Sequence, residues 1–287
     1  DTGRHSWDAV YVNKEWRLLD CYWGARRLAK KEVDEDTFHQ EVDEYYFFPD
    51  PRQLIFTHFP DDPEWQLMRR PIKLNEFENM VALKASFFKY NLQVMNQKKA
   101  VVNFCKEVTV RIACPKNKKE EIGFTFSLVN ADTGSDQYEG KKLSQYGMHE
   151  KISNVGFFTV RPPTTGAYRL VIFAKQGEEK VYGGVCEYEL KCEEVYPDVK
   201  AFPSCAHTTW GQGDSFNRYN LEPYTQGAII KTRRGTGEVK FNLPCEMRFS
   251  AKLKSVDKDE KELAPFMMQR VVGGTAYFPI TAPQPGE

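Results

Sequence analysis

Residues 167–192 contain two strand-length runs, AYRLVIFAK at 167–175 and GGVCEYELKC at 183–192, separated by a polar turn. In both runs apolar side chains recur at about every second position, which is the period of a β-strand with one buried face. Three earlier runs have the same character: VVNFCKEVTVRIAC (101–114), EIGFTFSLV (121–129) and VGFFTVRPP (155–163). Short strands separated by polar or Gly/Pro turns predict a β-sandwich over residues 97–193.

The residues that follow repeat this order of strands. A similar order of segments recurs after the proline-containing linker VYPDVKAFP: VKFNLPCEMRFSAKL and TAYFPITAPQPGE resemble the earlier VRIACP, EIGFTFSL and GFFTVRPPTTGAYRL. The spacing between matched residues drifts from 129 (Pro115, Pro244) to 120 (Phe158, Phe278), as expected if loops changed length while the strand order stayed. We therefore predict a duplicated domain. The second β-sandwich, 194–287, is expected to be incomplete because no final hairpin follows Gly286.

Between the aromatic N-terminal region and these strands, residues 61–96 are predicted to be a short helical connector. KLNEFENMVALKASFFKYNL (73–92) places apolar residues at near-helical intervals. Asn75 could cap a helix whose first turn carries Glu76 and Glu78, as the helix dipole favours.

Composition excludes several classes of partner. The chain has 287 residues, enough for two or three compact units, with 40 basic and 40 acidic residues and a net charge of zero. It has no basic excess to drive binding to nucleic acid or anionic lipid. The longest apolar runs are far shorter than the roughly 20 residues that cross a bilayer, so no membrane span is expected. Seven scattered cysteines favour reduced thiols and a cytoplasmic location over a disulfide framework.

The most specific chemistry lies in HSWDAVYVNKEWRLLDCYWG, residues 5–24. Asn13-Lys14 is a suitable two-residue hairpin loop, and it pairs Val12 with Glu15. Continued along the strands, this register places His5 opposite Tyr22 and diagonal to Asp20, at roughly 7–8 Å between backbones on one sheet face. A one-residue shift would instead oppose Asp8 to Asp20, two like charges.

A carboxylate bonded to one imidazole nitrogen fixes the tautomer and leaves the other nitrogen to take a proton from Ser or Cys. His5 and Asp20 are therefore candidate catalytic residues. The alternative is structural: His5 would be an exposed strand-end residue and Asp20 would only begin a turn.

The pattern H-x-W-x-x-V at His5–Val10, followed by W-x-x-x-D-x-x-W-G at Trp16–Gly24, resembles the core motif of transglutaminase-like proteins. DCYWGARRL, EYYFFPDP, HFPDDPEWQLMRRPIKLNEFEN and SFFKYNL further resemble the hillarin and kyphoscoliosis-peptidase group, including its LIM-and-transglutaminase relatives. The resemblance implies an α+β, papain-like core followed by all-β domains. Residues 1–60 would form the C-terminal half of that core.

The resemblance also implies a catalytic order of Cys, His and Asp, with His5 as base, Asp20 as its orienting acid, and Trp7 and Trp23 as supporting aromatics. The nucleophile has no counterpart here, because only DTGR precedes His5. Cys21 is not expected to replace it, since a neighbour of Asp20 in a strand points to the opposite face. The chain is then expected to be a fragment of a longer protein, or its core a remnant. Asp8, where many relatives have Asn, should face away from His5.

The other candidate sites are better explained by structural roles than by binding or catalysis. Cys205, His207 and Cys245 lack the paired spacing of a zinc site, and Asp61, Asp62 and Glu64 lack that of a calcium loop. Glycines 235, 237, 273 and 274 are expected in turns. Trp210, Phe216 and Tyr219 are expected to pack in a core or between domains, although an exposed recognition patch is the alternative. We predict no metal and no cofactor.

Two functions stay open. The first is a protein-interaction scaffold with cytoskeletal protein partners, as the resemblance implies for a cytoplasmic, cytoskeleton-associated protein. The second is a cysteine peptidase or acyltransferase whose Cys precedes this chain. We favour the scaffold because the chain itself supplies no nucleophile.

Overall fold

The computed structural model describes most of the chain, with gaps at the N-terminus, after the first helix, at 117–120 and in the C-terminal third. The described residues are 4–25, 42–116, 121–204, 210–211, 216, 218–224, 230, 232, 234–255 and 258–282.

The N-terminal region opens with a β-hairpin. Strands β1 (Asp8–Val12) and β2 (Glu15–Leu19) pair antiparallel, and Val12 lies opposite Glu15 as predicted. Asn13 and Lys14 have φ values of 52° and 65°, the left-handed conformation that a two-residue turn of this hand requires. The turn chemistry and the alternation of side chains thus fix the register.

The second strand ends earlier than predicted. Helix α1 (Cys21–Gly24) begins directly after β2, and Asp20 is its N-cap, because the Asp20 side chain accepts a hydrogen bond from the Trp23 amide. The expectation that Asp20, Cys21 and Tyr22 continue the strand is therefore wrong. Cys21 is an exposed first residue of a helix.

A small core supports this hairpin. Leu18, Tyr46 and Leu54 are buried together. The backbone holds the segments in place, because the Asp20 amide donates to the Tyr46 carbonyl at 3.0 Å. The short helices of this region are a 3₁₀ turn at Glu44–Tyr46, helix α2 at Pro51–Leu54 and a 3₁₀ turn at Pro63–Gln66.

The segment expected to be a helical connector is built partly into the sandwich. It contains α3 (Leu74–Glu78), β3 (Ala82–Leu83), α4 (Ala85–Lys89) and β4 (Gln93–Val94). Lys73, not Asn75, is the N-cap residue of α3. Both short strands join the sheets described next, so this segment is more than a helical linker.

Two five-stranded sheets form the sandwich. The strands that follow β4 along the chain are β5 (Val101–Cys105), β6 (Val108–Ala113), β7 (Ile122–Asn130), β8 (Gln137–Tyr138), β9 (Lys141–Lys142), β10 (Gly147–Ile152), β11 (Val155–Val160), β12 (Gly166–Gln176), β13 (Gly183–Glu194) and β14 (Trp210–Gly211). One sheet has the order β14-β10-β11-β6-β4. The other has the order β3-β13-β12-β7, with β5 paired to β13. Strands β8 and β9 form a separate small hairpin.

The predicted run 101–114 is two strands in two different sheets. Lys106, with φ of 67°, separates β5 from β6. β5 then pairs parallel with β13, whereas β6 pairs antiparallel with β11. The chain therefore crosses from one sheet to the other at this point.

The core lies between the two sheets. Alternate residues of β12 and β13 point inward, as their period of two predicted. The residues that are at most 1% exposed include Val110, Ile112, Leu128, Phe158, Leu170, Ile172, Val185, Tyr188 and Leu190. Burial of this size is the main stabilisation of the sandwich.

The C-terminal residues form one four-stranded sheet in the part that the structure describes. Its order is β15-β16-β18-β17, from β15 (Glu222–Pro223), β16 (Thr236–Asn242), β17 (Arg270–Val272) and β18 (Thr275–Thr281). Helix α5 (Glu260–Leu263) and a 3₁₀ turn at Ala264–Phe266 precede β17. The strand predicted around Phe249 is absent from the described residues 243–255, which correspond to EIGFTFSL of the first unit only in sequence.

Candidate active site

His5 and Asp20 are in direct contact. Nε2 of His5 lies 2.5 Å from Oδ2 of Asp20, and their side chains are 28% and 1% exposed. The predicted contact is therefore present, although the predicted route to it is wrong: Asp20 reaches His5 from the start of α1 and not from a strand. The His5 ring is partly open to solvent, whereas the Asp20 carboxylate is buried.

Asp20 is held by three hydrogen bonds. Its Oδ1 accepts from the Trp23 amide at 2.9 Å, and its Oδ2 contacts both His5 and Nε2 of His58, the latter at 2.9 Å. Burial alone would raise the pKa of Asp20, but the Trp23, His5 and His58 hydrogen bonds outweigh burial and lower it. The carboxylate is ionised at neutral pH.

His58 is the residue of this candidate site that the sequence reasoning missed. It is 3% exposed, and its Nδ1 lies 2.7 Å from the Thr57 hydroxyl. Burial lowers the pKa of His58 and so favours the neutral ring. The hydrogen bond and the charge of Asp20 act in the opposite direction but are outweighed. A neutral His58 donates from Nε2 to Asp20 when Thr57 donates to its Nδ1. The Thr57 hydroxyl also lies within donating distance of the Leu54 carbonyl, at 3.2 Å, but that carbonyl already accepts from the Thr57 and His58 amides, so the hydroxyl proton can go to either acceptor.

Two tryptophans enclose this pair of histidines. The ring centres of Trp7 and Trp23 lie 6.3 and 5.3 Å from that of His5, both in stacked orientation. The same two rings meet His58 edge-on at 5.0 and 4.7 Å. The structure thus brings all four predicted site residues together. Asp8 is exposed on the alternate side of the strand, as predicted.

The arrangement suits proton transfer by His5. Since Nε2 is committed to Asp20, Nδ1 is the ring nitrogen left to accept a proton, and the buried carboxylate stabilises the imidazolium that forms. Within the described residues, the cluster of His5, Asp20 and His58 includes no cysteine. The geometry is that of a candidate base and the carboxylate that would orient it.

The other predicted features have structural roles where they are described. The Asp62 side chain caps the 3₁₀ turn at Pro63–Gln66 by accepting from the Glu64 amide. The Trp210 indole donates to the Pro203 carbonyl at 2.7 Å, and Phe216 packs against Phe241.

Three further predictions concern turns, thiols and exposure. Gly273 and Gly274, with positive φ, form the turn between β17 and β18, and Gly235 has positive φ just before β16. Gly237 lies within β16, so its expected place in a turn is wrong. Cys205 and His207 lie outside the described residues. Tyr219 is 51% exposed, so the expectation that it packs in a core or between domains is wrong.

The fold and the comparisons agree on the class of the central domain. A family profile described as "KY-like, immunoglobulin-like domain" matches residues 74–203, which includes the sandwich strands from β3 to β13. The chain is mostly β-sheet with an immunoglobulin-like domain. No helix in the described part of the chain is long and apolar enough to cross a bilayer.

Three relatives match most of this chain. Hillarin of Drosophila melanogaster is 32% identical over 99% of this chain, and "Lim and transglutaminase domain protein ltd-1" of Caenorhabditis elegans is 27% identical over 99%. Kyphoscoliosis peptidase of Mus musculus is 30% identical over 83%. The predicted resemblance is confirmed: the chain is homologous to the hillarin and kyphoscoliosis-peptidase group. It spans 37%, 42% and 33% of these relatives' lengths.

Proposed function

We propose that this chain acts mainly as a protein-interaction scaffold within a transglutaminase-like, cytoskeleton-associated protein of the cytoplasm. The observation that carries the proposal is a set of exposed aromatic side chains, two on the N-terminal hairpin and one on the 3₁₀ turn at Pro63–Gln66 that contacts them. We call this set the aromatic ladder; it consists of Tyr11, Trp16 and Trp65.

The aromatic ladder is a contiguous apolar surface. Its members are 62%, 47% and 40% exposed, and successive ring centres lie 5.4 and 5.2 Å apart. Large aromatic side chains dominate the binding energy of protein interfaces because they bury much area at little conformational cost. Three of them in contact with one another and with solvent favour a protein partner.

Co-sedimentation with purified actin filaments and with microtubules tests this proposal. The chain should pellet with one of the two polymers, and the double variant Tyr11→Ser/Trp16→Ser should lose at least tenfold in apparent affinity. Tyr219→Ser, which removes an exposed aromatic elsewhere, is the matched control and should bind as before. Failure to pellet with either filament, or equal pelleting of the double variant, would count against a cytoskeletal scaffold that uses this surface.

A second candidate function is catalytic, and the His5–Asp20 contact favours it. In a longer protein, a cysteine preceding this chain would lose its thiol proton to Nδ1 of His5 and attack a peptide or glutamine amide. Asp20 would hold the ring and stabilise its charge. Peptide hydrolysis and acyl transfer both begin with this step.

A thiol-directed probe applied to such a longer protein tests the second candidate. Labelling of the upstream cysteine should be fast near neutral pH and should slow at least tenfold in His5→Ala. Asp8→Asn, on the opposite side of the strand, is the control. Equal labelling in the His5→Ala form would show that no activated thiolate exists.

We also propose a domain layout for the chain. Residues 1–60 would be the C-terminal half of a transglutaminase-like core, and 194–287 a second sandwich, although β14 within that range pairs with β10 of the first sandwich. The sheet of β15 to β18 supports a separate β-unit. The family match supports moving the start of the first sandwich from the expected residue 97 to residue 74.

A further inference from the structure

Three donor atoms converge at the candidate active site. One ring nitrogen of His5, one of His58 and a carboxylate oxygen of Asp20 all lie within 4.8 Å of one another. Two imidazoles and one carboxylate are a donor set that zinc favours when a fourth position stays open. We propose that His5, Asp20 and His58 bind one zinc ion.

The spacing of the rings fits a shared ion. The ring centres of His5 and His58 are 5.6 Å apart. Imidazoles bound to one zinc at about 2.0–2.1 Å, at near-tetrahedral angles, have ring centres roughly 5–5.5 Å apart. Both rings already direct Nε2 to one point, the Asp20 Oδ2 atom. An ion bound to both Nε2 atoms would lie close to the present position of this oxygen. The Asp20 side chain would therefore have to shift until the oxygen is about 2 Å from the ion, while the two rings move little.

The groups behind the donors suit metal binding as well. A zinc-bound His58 must carry its proton on Nδ1, where the Thr57 hydroxyl can accept it while donating to the Leu54 carbonyl at 3.2 Å. The Trp23 amide holds the second oxygen of Asp20. Ligands oriented by such outer hydrogen bonds bind metal more tightly, by about 10- to 100-fold.

Access to the ion is one-sided. Asp20 and His58 are each 1% exposed at the side chain, whereas His5 is 28% exposed. The fourth ligand position therefore faces the solvent side of His5, where water or an incoming thiolate can complete the tetrahedron. Zinc would take the Asp20 oxygen that His5 now contacts, so a bound ion and the His5–Asp20 hydrogen bond exclude each other.

Isothermal titration of the chelator-treated, reduced chain with Zn²⁺ tests this site. We expect one ion per chain, with affinity at least tenfold weaker in His58→Gln and in Asp20→Asn. Thr57→Val preserves the packing of the residue and should weaken binding by about tenfold through the outer hydrogen bond alone. The control variant Cys205→Ser/Cys245→Ser should bind as the parent does. Circular dichroism verifies that each variant folds.

Replacement of Zn²⁺ by Co²⁺ gives a second measurement. We expect the visible absorption bands of four-coordinate Co²⁺. Because the ligands are nitrogen and oxygen, no thiolate charge-transfer band should accompany them. Absence of binding overturns the proposal, as does binding that survives in Thr57→Val and Asp20→Asn or disappears in the cysteine control. The readout is metal binding, so it is independent of whether any longer protein is catalytically active.

Discussion

The substitution His58→Leu tests how strongly the second histidine stabilises Asp20. It removes a buried donor from an ionised, buried carboxylate while leaving a side chain of similar bulk. A hydrogen bond to a charged group contributes about 1.5–3 kcal/mol, and the cavity term should be small because Leu fills the site. We expect the free energy of unfolding of the N-terminal region to fall by about 2–3 kcal/mol at pH 7.

Tryptophan fluorescence during urea denaturation measures this change. Four of the five tryptophans precede residue 66, and Trp7 and Trp23 touch the His58 ring, so the signal reports this region. In an Asp20→Asn background the same substitution should cost much less, because the charge is gone. A loss below about 0.5 kcal/mol in the wild-type background would refute the argument that His58 stabilises the carboxylate.

Three further predictions follow from local geometry. His58 has a lowered pKa in the folded state, so the free energy of unfolding keeps its full contribution from this group above the unfolded-state pKa of 6.5 and loses it as the pH falls below that value. Urea denaturation from pH 7.5 to 5 should show this decline. His58→Leu should make the pH dependence flatter. Lys14→Gly should stabilise the hairpin by up to about 1 kcal/mol by fluorescence-monitored denaturation, because φ is 65°; no gain would argue against this turn. Gly147→Ala should destabilise the sandwich by about 1–3 kcal/mol in calorimetry, because a Cβ would lie 2.9 Å from the buried Phe126 ring; Gly183→Ala, whose nearest recorded neighbour is 3.9 Å away, should be close to neutral.

The hairpin was predictable in detail because two local signals agree. Asn13-Lys14 specifies a tight turn, and the alternation of side chains fixes which residues pair. The position of Asp20 was not predictable from that alternation. A side chain that caps a four-residue helix depends on one hydrogen bond, which leaves no periodic pattern in so short a segment.

His58 escaped the sequence reasoning because it is 38 residues from Asp20 in a proline-punctuated stretch without periodicity. The available signal was a lone histidine among aromatic residues in FTHF, just before the acidic turn. Tertiary packing alone brings it to the carboxylate.

In the sandwich, the presence of a strand was easier to predict than the sheet to which that strand belongs. Residues 101–114 form one apolar run, yet the turn at Lys106 sends its halves to different sheets. GMHEKI was missed because charged residues occupy its second half, although Gly147, Met148 and His149 are buried. Both errors arise from contacts between distant strands, which a local pattern cannot contain.

The parallel pairing of β5 with β13 has a mechanical consequence. The two strands lie side by side and point in the same direction, from the pair Val101 and Glu189 to the pair Cys105 and Glu194. Tension applied between the start of β5 and the end of β13 loads their shared hydrogen bonds together, in shear, and does not open them one after another. The sandwich should therefore resist stretching along this axis far better than it resists peeling at the β10–β11 hairpin.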